Sequence, residues 1–329
     1  MLHIHNGDSS ANTLREFEFP GEHRAFQEVL MEGPAPSGLA PDEWLDVRAR
    51  FLAEAYGLKL EKCEKNLREQ EAWLARFTEH DETVLWFEHD LFCQINLIYL
   101  LDRFSKQSPG NTRLSLICVG EFAGIEDFTG LGQLTGTQLA SLFDGRHAVT
   151  DDETKTAVRA WAAYCSRDPT EIARLLLEDT SSMSFLRNAL NLHLARFPSL
   201  RNGLGRVENQ ALELISNGPI GFKSLFPRFA KAEPVYGMGD LQFWCALRRL
   251  ARAKDPLITI SEIAGDQPAF KSNQYHDGSF ELTETGRAVL AGERDLIETN
   301  GIDLWLGGVH FMGSAAWRWD ERNGLITTV

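Results

Sequence analysis

The sequence predicts an α/β protein: a Rossmann-like, mostly parallel sheet, then a helical connector, then a winged-helix-like unit. Three observations carry this expectation. Over residues 1–130, short apolar runs alternate with stretches of helical period, as in strands joined by crossover helices. Residues 131–205 keep a helical period. Residues 206–296 read as three helices with a β-hairpin and a closing helix, the order of a winged helix. An aromatic tail, residues 297–329, is expected to pack back on the assembly.

In chain order, Leu2-His3-Ile4-His5 reads as a strand. Asn6-Gly7-Asp8-Ser9 is the turn into a short helix capped by Ser10 or Asn12 and running through Leu14. Phe26 to Leu30 is a second strand, stopped by Gly33-Pro34-Ala35-Pro36. Pro41-Asp42-Glu43 opens one long helical stretch in which Leu45, Leu52, Tyr56, Leu60, Cys63, Leu67, Leu74 and Phe77 recur at helical spacing. Thr83 to Phe87 is a third strand, apolar on both faces; Glu88-His89-Asp90 follows, and Leu91 to Phe104 is a helix. Leu114 to Val119 is a fourth strand, ending at Gly120-Glu121. Helical patterns fill Thr135 to Ser199, then Val207 to Ile215, Phe222 to Phe229 and Leu241 to Ala253. Two β-like runs, Leu257 to Ile263 and Ser279 to Leu282, precede a helix at Thr283 to Ala291.

Composition narrows the function classes. At 329 residues the chain accommodates two or three units, at ~100–200 residues per domain. A net charge of −14 disfavours diffuse nucleic-acid binding, which needs local Lys and Arg against phosphates. No apolar run is long enough for a membrane helix, and Leu91 to Leu101 is broken by Gln94 and Asn96. The N-terminal residues lack the basic and apolar regions of a signal peptide. Cys63, Cys93, Cys118, Cys165 and Cys245 lie far apart, without Cys-x-x-Cys spacing, as reduced thiols of a cytoplasmic protein do.

Several stretches together resemble a known bacterial family. They are His3-Ile4-His5-Asn6-Gly7-Asp8-Ser9, the Glu32-Gly33-Pro34 turn, and Trp86 followed by Asp90 and Gln94-Ile95-Asn96-Leu97. The family is the one catalogued as domain of unknown function 1835. The resemblance covers residues 1–125, and Leu282-Thr283 with Gly286-Arg287 is similar to that family's usual C-terminal companion region. It brings no established activity with it.

Ligands of open parallel sheets bind outside the carboxyl ends of the strands. Four such ends carry His5-Asn6-Gly7-Asp8-Ser9, Glu32-Gly33, Glu88-His89-Asp90 and Glu121. His5, Asn6, Ser9, Ser10, Glu32 and Gln94 are therefore the candidate ligand-binding residues, and Asp90, His89 and Asp8 the candidate catalytic ones. Backbone N–H groups at Asn6 to Ser10, ahead of a helix, suit a phosphate or carboxylate; the bland alternative is a capped turn. Asp8, Glu32, Glu88, Asp90 and Glu121 include candidates for a raised-pKa acid or base, although surface carboxylates are common among 47 acidic residues. His89 beside Asp90 is also metal-ligand chemistry. No second His–Asp element stands at recognisable spacing, however, and a helix-capping Asp90 accounts for the pair, so no metal is expected. Gln94, one turn from Asp90, is preferred over Asn96. Cys93 and Cys118 read as core.

Arg248, Arg249, Arg252 and Lys254 form the strongest basic run, where a winged helix places its recognition helix. Neighbouring Asp255, Glu262 and Asp266 favour a solvated face over a DNA contact. In the tail, Trp305, Trp317 and Trp319 are expected in the core, with Arg318 and Asp320 reaching toward the site. The leading expectation is an enzyme or sensor for a small anionic or nucleotide-like molecule. A DNA-binding regulator and an interaction scaffold are the alternatives, and cofactor and oligomeric state are not legible.

Overall fold

A computed structural model describes residues 1–261, 278–314 and 317–328. The first elements are β1 (Leu2–Asn6), α1 (Asp8–Glu16), β2 (Glu22–Phe26), β3 (Gly33–Pro34), α2 (Pro41–Tyr56), α3 (Leu60–Leu74), β4 (Glu82–Glu88), α4 (Leu91–Ser105) and β5 (Arg113–Val119). Next come α5 (Gly136–Leu142), β6 (His147–Ala148), α6 (Asp151–Tyr164), α7 (Thr170–Leu176) and α8 (Leu186–Leu194). The third part holds α9 (Arg206–Ile215), β7 (Ile220–Gly221), α10 (Phe222–Ala232), α11 (Asp240–Ala251), β8 (Ile258–Ser261), β9 (Ser279–Leu282) and α12 (Glu284–Ala291). The chain ends in α13 (Leu296–Asn300) and two hairpins, β10 (Ile302–Gly307) with β11 (Val309–Gly313), and β12 (Trp317–Asp320) with β13 (Leu325–Thr328). Among the described residues, no helix is long and apolar enough to cross a membrane.

The central sheet has the order β2-β1-β4-β5-β6, parallel except for β6. Alternation assigns its two faces. His3 and His5 lie beside Val84 and Trp86 on one face, while Ile4 lies beside Leu85 on the other. The first face packs Val84, Trp86 and Ile117 against Leu14 of α1 and Leu139 of α5. The second packs Ile4, Leu85 and Phe87 against α4 and α6. The helix after β1 and the helix after β4 thus cover opposite faces, which opens a crevice between these two strands at their carboxyl ends.

Four expectations shift. The second strand is Glu22–Phe26, ahead of Phe26 to Leu30; it is an edge strand, and its charged Glu22 and Arg24 hide it from a hydrophobic reading. The long helical stretch is two helices, because Gly57 ends α2 at φ 66°, the left-handed cap that a residue without Cβ adopts freely. The cap of α1 is Gly7, and Ser10 is buried inside that helix. The 131–205 segment also adds β6 to the sheet, antiparallel to β5.

Residues 28–34 do not form an open loop. Buried Arg48 donates to the carbonyls of Val29, Glu32 and Pro34 and to the Glu28 carboxylate. Arg196 donates to the Met31 carbonyl and, at 2.8 Å, to the Glu32 carboxylate. Such pairs tolerate burial when well hydrogen-bonded, and here both terminal nitrogens of Arg48 are, while its Nε is left without a partner among the described residues.

The tail lies against β3, but of the three tryptophans expected in the core only Trp319 is buried, while Trp305 and Trp317 are half-buried. β10 runs parallel to β3, pairing Leu306 with Gly33, and Leu306, Val309, Phe311 and Trp319 are buried. Arg318 and Asp320 do not reach toward the crevice. Arg318 grips Asp295 with two bonds of 3.2 Å, and Asp320 closes its own hairpin turn through Arg322 and Asn323. Each buried apolar side chain contributes roughly 1.5–3 kcal/mol. Deleting residues 301–329 is therefore expected to give insoluble or loosely packed protein; unchanged solubility and melting would show the tail to be dispensable.

Candidate active site at the carboxyl ends of β1 and β4

Glu88 ends β4, and Asp90 caps α4 by accepting from Cys93 N at 2.7 Å. Glu88, Asp90 and Cys93 each offer a ligating atom, all within 4.8 Å of one another, the one such group of three or more His, Cys, Asp or Glu side chains among the described residues. Asn6, from the end of β1, donates to Cys93 Sγ at 2.7 Å and accepts from Asn96 Nδ2 at 2.7 Å. Gln94 donates to the Glu88 carbonyl and to Cys118 Sγ.

Two distant segments complete the site. Leu131 N donates to Glu88 Oε1 at 2.6 Å. Gly237, at φ 60°, lies so close to Asp90 that a Cβ there would meet its Cγ at 2.4 Å, so only glycine fits.

Burial sets the electrostatics. It raises Glu88 to about 8, with the Asp90 charge as the next cause, against the Leu131 N–H. Burial also raises Asp90, to about 6, while the Cys93 N–H holds it lower. The α4 N-terminus favours charge on Asp90. Near neutral pH the pair therefore keeps one proton, on Glu88, opposite an ionised Asp90. Burial pushes the Cys93 thiol well above its ordinary value, with the two carboxyls adding to it, so it is no thiolate nucleophile. In place of these protons the three atoms could hold a soft divalent cation such as zinc.

The other predicted residues are placed as follows. His89 sits between Phe128 and Phe185, half-buried, with Nδ1 unpartnered; burial lowers its pKa against a bond to the Val119 backbone, so the ring is neutral. Asp8 is exposed and accepts from Gln27 Nε2. Ser9 is exposed at the start of α1, whose N-terminus carries no side-chain cap. Glu32 is a structural partner of Arg196 rather than an open ligand-binding group, and Glu121 is exposed. Gln94 is buried as a support of β4.

His5 and Ser10 serve a different cluster, on the α1 face of the sheet. Ser10 Oγ bonds His5 Nδ1 at 3.1 Å, His5 Nε2 bonds His23 Nδ1 at 3.1 Å, and His23 Nε2 bonds the Phe19 carbonyl at 3.0 Å. Beside them Trp86 donates to His3 Nδ1, and His3 Nε2 donates to the Pro20 carbonyl. One tautomer assignment satisfies every bond with all three rings neutral. His5 is thus consumed structurally, and so is Ser10.

Sequence reasoning placed Cys93 in the core and passed over Asn96, Leu131 and Gly237. Asn96, two residues from Gln94, signalled its role only through its polarity in an apolar helix. Comparison with protein-family models gives no match, and none is found among curated proteins.

Proposed function

We propose that this chain is an enzyme that moves a proton on a small anionic, nucleotide-like molecule bound in the β1–β4 crevice. The observation that carries the reading is the Glu88–Asp90 pair, a half-buried carboxyl beside a buried one where the strand order reverses, with burial raising both pKa values. Glu88 delivers its proton to a substrate oxygen or nitrogen, and Asp90 accepts one, so the pair ends with a single proton again. Asn6 orients the substrate beside Cys93, and the uncapped start of α1 at Gly7 to Ser9 receives the anionic group. The setting is cytoplasmic, in keeping with five free cysteines. The resemblance of residues 1–125 to the domain-of-unknown-function-1835 family is part of this proposal.

We read α9 to α12 with β7-β9-β8 as a winged-helix-like unit that serves packing. Arg248 donates to the Ala55 carbonyl and Arg249 to Glu208, which favours packing over DNA contact. Glu262 and Asp266 lie outside the described residues.

The test is a thermal-shift panel of mononucleotides and small hydroxy acids. At least one should raise the melting temperature of the wild type, and Glu88→Gln and Asp90→Asn should each remove that increment. A panel without a hit, or hits indifferent to both substitutions, would overturn the reading. Zinc binding that releases protons and is lost in both variants would convert it to a metal centre.

A further inference from the structure

We infer that the cavity beside the start of α1 receives an uncharged flat ring bearing carbonyl groups, of the nucleobase class. The inference rests on the reading of the β1–β4 crevice and adds where the uncharged part of the ligand lies. The cavity holds about 600 Å³, inside the ~300–1,000 Å³ typical of small-molecule sites. It lies beside β2, between α2, α3 and the start of α11. Two wall residues tie it to the crevice. Asp8 is the first residue of α1, and Gly239 follows two residues after Gly237, the glycine that covers Asp90.

Leu52, Leu67 and Leu241 give the cavity apolar walls, and half-buried Trp73 adds a flat indole. Such walls take up a ring by burial and stacking. Charge does not select the occupant. Asp8, Glu69 and Asp240 line the cavity with Arg15 and Arg24, and each is already engaged. Asp8 accepts from Gln27 Nε2, Asp240 from Leu241 N, and Glu69 lies 3.7 Å from Lys65. Arg24 pairs with Glu22, and Arg15 donates to Asn12 and to the His23 carbonyl.

Hydrogen-bonding groups do select it. Gln70 and Gln242 are buried in the wall, and each turns its oxygen to the backbone: Gln70 Oε1 accepts from Gln27 N and Gln242 Oε1 from Gly239 N. Neither Nε2 has a partner among the described residues. Tyr56, buried in the same wall, has a hydroxyl equally without a partner there. Buried polar groups are nearly always hydrogen-bonded, so three free donors around one cavity call for a ligand rich in acceptors. A ring with apolar faces and carbonyls on its edge satisfies walls and donors together.

Inosine and uridine, titrated calorimetrically into the full chain, are the probes. One of them should saturate a single site. Purine riboside, which lacks the ring carbonyl, should bind at least about tenfold more weakly, the worth of about one hydrogen bond. Gln242→Glu keeps the oxygen that accepts from Gly239 N and puts an acceptor in place of the free donor. It should weaken the nucleoside about tenfold with melting unchanged, since Glu serves as well as Gln at this position of a helix start. Asn66→Trp, at an exposed wall position on α3, should weaken binding by obstruction and decides the matter if Gln242→Glu melts early. Phosphate, Glu88 and Asp90 take no part in these titrations, so failure here leaves the proton-transfer reading to its own test, and the reverse. Binding of neither nucleoside, equal affinity for purine riboside, or wild-type affinity in a well-folded Gln242→Glu or Asn66→Trp would overturn the inference.

Discussion

Glu88→Gln is expected to make the protein more stable, and increasingly so from about pH 4.5 to pH 8. The carboxyl titrates near 4.5 when exposed and near 8 in the folded chain. Between those values the unfolded state has released the proton that the folded state keeps, so wild-type stability falls as pH rises. Above pH 8 both states are ionised and the penalty is complete, on the order of a few kcal/mol. Glutamine is neutral in both states and keeps a donor toward Asp90, so it escapes this loss. Urea melts of both proteins at pH 5, 7 and 9 measure the gap, which should open with pH. A constant gap would show that Glu88 is not held protonated. Combined with loss of ligand response, the gain would mark Glu88 as a group kept at the expense of stability.

How much of this was readable depended on whether a feature was local. Strands β4 and β5 announced themselves because Thr83 to Phe87 and Leu114 to Val119 are apolar on both faces. Strands β3 and β6, of two residues each, carry no period at all. Asp90 was legible because a cap and a strand-end carboxylate share one position in sequence. What makes the pair unusual was not legible. The Leu131 N–H arrives from 43 residues downstream, and Gly237 from the loop before α11. Glu32 misled for the converse reason: it stands after a strand-like run, but its guanidinium partner Arg196 lies 164 residues away. Cys93 was rightly read as buried, at 1% exposure, yet its sulfur still belongs to the site. Burial and function are not alternatives when the site itself is buried.

Acid should begin to destabilise the protein below about pH 6.5, through the histidines on the α1 face of the sheet. Burial lowers His3 to about 4, with the neighbouring His23 as the next cause. Burial likewise carries His5 well below its ordinary value and lowers His23. The unfolded state therefore binds protons first as pH falls below about 6.5, so this stabilisation is complete above that value and is lost toward pH 4. His3 alone accounts for about 3 kcal/mol at the lower limit, and the other two act in the same direction. His5→Phe separates this effect from general acid denaturation. At pH 7.5 the substitution strands the Ser10 hydroxyl and His23 Nδ1, at about 1–3 kcal/mol. It also removes a ring that resists protonation, so its stability should decline less steeply with acid. The wild-type and variant curves should converge between pH 6.5 and pH 5 in urea melts. Parallel curves would mean that the three rings do not titrate with folding, and that the hydrogen-bonded chain of neutral histidines is not what acid breaks.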